Sequence, residues 1–134
     1  GNSQLDSLNE FIEKRKYLAL RYDDFFYGCK NIKITQQKTR NISSHHLYVI
    51  RINYKKSKIS RAELMHKLRQ DGIITQVHYI PVVSHPYYKK KQYKEKDFPN
   101  SFEYYDSALS IPLFYDLSNK QQSHVINKIK KLIG

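Results

Sequence analysis

Cysteine is almost missing from this sequence. Cys29 stands alone in 134 residues, so no intrachain disulfide can form and stability has to come from packing, as in a reducing compartment. No apolar run approaches the ~20 residues that a membrane span needs, and the first residues do not read as a signal peptide. The glycine-rich cradles of mononucleotide and dinucleotide sites are absent, and so is the G-x-S-x-G elbow of hydrolases. Acidic residues are also short: 12 Asp and Glu face 24 Lys and Arg, a formal net charge of +12. Such an excess fits nucleic acid, a phosphorylated substrate, or a fragment whose acidic balance lies elsewhere. Gly1-Asn2-Ser3 lacks a starting Met and reads as a processed or cut N-terminus. Asn41-Ile42-Ser43 is formally a glycosylation sequon, read as chance without a secretion signal.

What is present is globular. Hydrophobic residues make up 40 %, unlike a disordered chain, and 134 residues are enough for one compact domain with a core but not for two. Leu5, Leu8, Phe11, Ile12, Leu18, Ala19, Tyr22, Phe25 and Phe26 recur at steps of three and four, which predicts a long first helix ended by Gly28. Lys30–Ser44 is a polar loop with room for one short strand. His46–Tyr54 alternates, apolar on much of both faces, and predicts a central strand. Ser60-Arg61-Ala62-Glu63 is a capping box that opens a helix over Arg61–Asp71, with Ala62, Leu64, Met65 and Leu68 as its apolar residues and Gly72 beyond its end. A strand from Ile73 to Tyr79 follows, stopped by Pro81. Pro99 opens a helix to Ala108, Leu109–Leu113 is strand-like, and a second capping box, Ser118 with Gln121, starts a terminal helix with Val125, Ile126, Ile129, Leu132 and Ile133 buried. The sum is an α+β fold: a small, mainly antiparallel sheet with helices packed on one side.

The segment Gly72–Pro86, GIITQVHYIPVVSHP, gathers the best candidates for chemistry. His78 and Tyr79 stand where strand gives way to loop, and an imidazole beside a phenol suits phosphate or sugar hydroxyls. On the residues alone, a buried hydrogen-bonded pair without function is the simpler reading. His45, His46, His78, His85 and Cys29 match no structural zinc spacing. Cys29 follows a helix end, whereas reactive thiolates are favoured at helix N-termini. Tyr87, Tyr88 and Tyr93 interleave with the Lys89–Lys96 cluster. Stacking rings among lysines could bind single-stranded nucleic acid, although a solvated loop is the simpler reading.

The runs QVHYIPV, HPYY and DFPNSFEYYDSALSIPLF, with the opening helix QLDSLNEFIEKRKYLALRYDDFF, occur in one order across nearly the whole chain. Together they resemble the C-terminal domain of the DegT/DnrJ/EryC1/StrS aminotransferases. The likeness is nearest to the branch that makes bacterial surface sugars such as pseudaminic acid or spore-coat polysaccharide precursors. The resemblance implies the small domain of a type I pyridoxal-phosphate aminotransferase that aminates nucleotide-linked keto-sugars, with glutamate as donor, in a cytoplasmic homodimer. It implies substrate contact by His78 and Tyr79 and a turn shaped by Pro81; Val83-Ser84-His85 departs from the family's run at that place, and His85 is a further site-shaping candidate. Catalytic and cofactor-binding residues are expected upstream, in a large domain that is not in these 134 residues. The chain alone is therefore expected to bind no pyridoxal phosphate and to catalyse no transamination. The rival is a basic module that binds single-stranded nucleic acid through the Tyr/Lys loop.

Overall fold

A computed structural model describes residues 7–35, 43–91 and 93–134. Helix α1, Leu8–Phe26, ends where Gly28 takes φ +75°, a conformation that costs an L side chain about 1–2 kcal/mol. The predicted start of this helix at Leu5 and the sequon at Asn41 lie outside the described residues. A short strand β1, Ile32–Ile34, realises the one strand allowed for in the Lys30–Ser44 loop. Strand β2, Tyr48–Ile52, is the core of the His46–Tyr54 prediction. A single helical turn α2, Tyr54–Ser57, is capped by the Asn53 side chain. Helix α3, Arg61–Gln70, begins with the Ser60 hydroxyl accepting from the Glu63 N–H. A short helix α4, Pro86–Lys89, precedes α5, Pro99–Ser107, and strand β3, Ala108–Ile111. Helix α6, Asn119–Ile133, starts at the predicted box, with Ser118 and Gln121 satisfying each other's backbone donors.

The sheet runs β1–β2–β3, antiparallel throughout, and β2 is central as its two apolar faces predict. Tyr48, Ile50 and Ile52 point one way and are buried. Across from them Ile111 pairs with Tyr48 and Leu109 with Ile50. Against this face lie Ala19, Tyr22 and Phe26 of α1, Leu64 and Leu68 of α3, and Val125, Ile126, Ile129 and Ile133 of α6. Burying each large apolar side chain stabilises the fold by about 1.5–3 kcal/mol, so this one layer of helices on one face forms the core. Within the two predicted stripes, Ala62 is exposed and Leu132 only half-buried.

The opposite face is more polar. Arg51 lies on it, with its Nε donating to Ser107 Oγ at 2.9 Å, its guanidinium 2.6 Å from the Glu103 carboxylate, and the Tyr104 ring 6.0 Å away. Helix α5 therefore meets the sheet from the second side, through polar contacts rather than a second core.

The strand predicted over Ile73–Tyr79 is corrected. Only Gln76 pairs, through two backbone hydrogen bonds with Ser110 of 3.1 and 2.8 Å. The β-branched run Ile73-Ile74-Thr75 does alternate, with Ile73 and Thr75 buried and Ile74 exposed. What it lacks is a partner, because β3 has four residues and Pro112 ends it. The Tyr/Lys stretch that reads as a solvated loop instead takes up the last three residues of α4 and a helical turn at Glu95–Asp97. No helix among the described residues is long and apolar enough to cross a membrane.

Candidate functional site

The site begins with Gly72, which leaves α3 at φ +75° with no atom near a Cβ built there. The Ile73 N–H then returns to the Leu68 carbonyl at 2.9 Å. This turn, the inward Ile73 and Thr75, and the Gln76 bridge fix the chain as it reaches His78. The His78 imidazole is half-buried, and its Nδ1 lies 2.8 Å from the hydroxyl of Ser110. The Tyr79 ring stands edge-on to it, centroids 4.7 Å apart at 81°, an arrangement that aromatic rings favour. The peptide bond joining the two residues is cis. Tyr79 is 74 % exposed, so the phenol projects from the surface while the imidazole is anchored. The structure thus brings the two predicted residues into direct contact and gives them different exposures. It does not bury the pair, as the simpler reading of the residues required.

Pro81 stands at the turn that follows, with φ −53° and ψ 133°, and its carbonyl accepts from the Ser84 N–H at 2.8 Å. That turn is Val82–Ser84, and the His85 N–H closes it on the Val82 carbonyl. His85 is exposed at the start of α4, where its carbonyl accepts from Tyr88 and Lys89. Its ring makes no hydrogen bond among the described residues, so the structure groups it with α4 rather than with His78 and Tyr79. Val82 and Ile80 are both more than half exposed and extend the surface of Tyr79.

Sequence reasoning missed Ser110 and Arg51. Ser110 is one of three buried polar residues among those described, and its pairing with His78 spans 32 residues, a separation no local pattern announces. Arg51 reads as an alternating strand residue, yet it lies in a cleft of about 500 Å³ with Lys30, Lys33, Lys55, Glu103 and Asp106. None of the cleft's lining residues belongs to Gly72–Pro86.

The tyrosines of the basic loop are spoken for. Tyr87 and Tyr88 meet edge to face at 5.1 Å, Tyr88 and Tyr93 lie 6.4 Å apart, and Tyr93 packs on Phe98 at 6.1 Å. The Lys91 ammonium sits 5.2 Å from the Tyr87 centroid. Rings that pack edge-on against one another are not set out to take successive bases. Among the described residues no three His, Cys, Asp or Glu gather as metal ligands. Cys29 is half-buried, and its thiol faces the Phe25 carbonyl at 3.7 Å.

Fold and pair together define a small α+β domain that holds out an anchored imidazole and a projecting phenol at a sheet edge. The chain belongs to the DegT/DnrJ/EryC1/StrS aminotransferase family, whose sequence profile matches residues 1–130. It is 34 % identical over 135 residues to the spore coat polysaccharide biosynthesis protein SpsC of Bacillus subtilis, covering 99 % of this chain and 35 % of that protein. A putative sugar aminotransferase, Spr1654 of Streptococcus pneumoniae, superposes with a TM-score of 0.88 at 28 % identity, over 98 % of this chain and 33 % of that one. PseC of Helicobacter pylori, an aminotransferase of pseudaminic acid biosynthesis, superposes equally well at 0.88, over 99 % of this chain and 35 % of its own. At 24 % identity that likeness is one of fold. The chain spans about a third of the length of these relatives.

The Streptococcus protein has been solved in a form with pyridoxal phosphate. Such a cofactor needs a Schiff-base lysine, an acid for the ring nitrogen and a phosphate cradle. The half-buried lysines here are committed elsewhere: Lys128 pairs with Asp71 at 2.9 Å, and the ammonium groups of Lys14 and Lys130 lie over the rings of Tyr17 and Phe25. The described residues do not fit the cofactor.

Proposed function

We propose that this chain is the C-terminal small domain of a longer, cytoplasmic pyridoxal-phosphate aminotransferase that aminates keto-sugars linked to nucleotides, for surface polysaccharide. His78 and Tyr79 form part of the wall against which the sugar nucleotide lies. The observation that carries this reading is the pair itself: polar rings anchored at one end and projecting at the other, on a chain whose family match covers residues 1–130. Imidazole and phenol offer donors and acceptors suited to sugar hydroxyls and phosphate oxygens. A net charge of +12 raises the local concentration of an anionic diphosphate. Glutamate supplies the amino group, and two copies of the longer enzyme form the working unit. The missing domain carries the lysine and the cofactor phosphate site.

Two measurements test this. The gene upstream of the Gly1 codon is expected to continue into a large domain with a Schiff-base lysine; a start codon at that point rules the enzyme reading out. In the longer enzyme, His78→Ala with Tyr79→Phe is expected to raise KM for the sugar nucleotide about five- to fiftyfold, the equivalent of one or two lost hydrogen bonds. An unchanged KM and kcat removes the pair from the site.

A further inference from the structure

We infer that Ser110 is a positioning residue that locks the neutral His78 ring with its proton on Nε2, so that His78 meets its ligand as a hydrogen-bond donor. The inference rests on the reading of His78 as a substrate contact and goes on to say which kind of atom it touches. Ser110 is 6 % exposed. Its backbone is already engaged, N–H and carbonyl both, with Gln76. Its hydroxyl has one hydrogen-bond partner among the described residues, His78 Nδ1 at 2.8 Å.

A hydroxyl carries one proton and two lone pairs. If Nδ1 bore the ring proton, Ser110 would accept it and its own O–H would be left buried with nothing to donate to. An unmade donor in that position costs about 1–3 kcal/mol. If instead Ser110 donates to the Nδ1 lone pair, the hydroxyl is satisfied, and an idle lone pair on oxygen is the smaller loss. The second arrangement places the neutral ring's proton on Nε2, the nitrogen that makes no hydrogen bond among the described residues.

Three consequences follow for the ligand. The atom opposite Nε2 is an acceptor, such as an oxygen of the diphosphate or of the sugar. A ligand N–H or an ammonium is refused there. The neutral ring cannot act at Nε2 as a general base or as a metal ligand, because that nitrogen has no lone pair to give. Tyr79 beside it keeps a hydroxyl that both donates and accepts, so the pair can bridge two neighbouring oxygens.

The test is a long-range proton–nitrogen NMR correlation on the isotopically labelled 134-residue chain, at a pH where the ring is neutral. We expect Nδ1 of His78 to appear as the unprotonated nitrogen and Nε2 as the protonated one. In Ser110→Ala the two tautomers are expected to mix, and in Ser110→Thr, which restores the hydroxyl, the single tautomer returns. Amide signals of Ile50 and Leu109 report whether each variant keeps the sheet. A protonated Nδ1 in the wild-type chain overturns the inference, as does an unmixed Nε2–H tautomer in a folded Ser110→Ala. If Ser110→Ala does not fold, the wild-type spectrum alone decides. Failure of the substrate reading looks different: the Nε2–H tautomer is found, while His78→Ala in the longer enzyme leaves KM for the sugar nucleotide unchanged.

Discussion

Two buried polar groups show how much depends on single partners. Gln122 is fully buried. Its Nε2 donates to the Leu18 carbonyl at 2.7 Å, and its Oε1 accepts from Arg21 at 2.7 Å, so one amide ties α6 to α1. Gln122→Leu keeps the volume but strands a guanidinium N–H that had a partner. We expect it to cost about 2 kcal/mol in urea unfolding; a change near zero would show that water reaches Arg21 without penalty. Tyr54 is the contrary case. Its hydroxyl is buried with no partner among the described residues, so the oxygen pays desolvation and receives nothing. Tyr54→Phe is expected to leave the melting temperature unchanged or raise it, by the equivalent of up to about 1 kcal/mol. A loss of that size instead would reveal a partner for the hydroxyl.

At the scale of elements, what could be read in advance was what is written locally. The signals at Ser60 and Ser118 are four residues long, and both helices start on them; the full reciprocal box forms at Ser118, whereas at Ser60 only the hydroxyl's bond to the Glu63 N–H does, the Glu63 carboxylate pairing with Lys67 at 2.8 Å instead. Ser118→Ala removes the acceptor for the Gln121 N–H and should lower stability by about 1 kcal/mol, read as a drop in the urea midpoint with unchanged slope. Ser118→Asp should restore most of it, since a carboxylate caps as well and also favours the positive end of the helix. The alternation of β2 was equally plain, because both its faces have something to pack on. The Ile73–Tyr79 segment shows the limit of such reading. Its β-branched run has the composition of a strand, yet a strand needs neighbours, and composition does not count them. The site divides the same way. His78 and Tyr79 stood out as polar rings at the end of an apolar run, and so did Pro81 as the turn. Ser110 sits in the unremarkable run Ala108-Leu109-Ser110-Ile111, and only the folded sheet brings it to His78. His85, the further site-shaping candidate, is separated from the pair by the helical turn at Val82–Ser84.

The whole molecule carries its phenols unevenly. Burial raises the Tyr48 phenol above its ordinary range, and the Asp23 carboxylate that accepts its proton at 2.5 Å raises it further. Burial raises Tyr22 as well, against the opposing pull of Arg21, and pushes Tyr54 up to about 12 with Arg61 opposing. In the unfolded chain these phenols ionise near pH 10, and in the fold later. A raised folded pKa means that their contribution to stability is complete below about pH 10 and is lost as pH climbs through the folded values. Alkaline titration of the 12 tyrosines, followed by tyrosinate absorbance, tests this. A late group is expected to appear only as the chain unfolds. If all ionise together near pH 10 while the far-ultraviolet spectrum stays native, the burial account of these three residues is wrong.

Lys33 occupies the middle of β1, exposed, directly across from Arg51. At the other border of the sheet the Gln76 bridge has already used the Ser110 backbone N–H and carbonyl. A sheet grows by adding strands at its borders, and growth without limit is how soluble chains become fibrils. Here one border puts a cation where an incoming strand would lie, and the other offers its central backbone groups to a neighbour it already has. The segment that presents His78 and Tyr79 is thus also a guard against aggregation. Changes that loosen it open an unpaired edge.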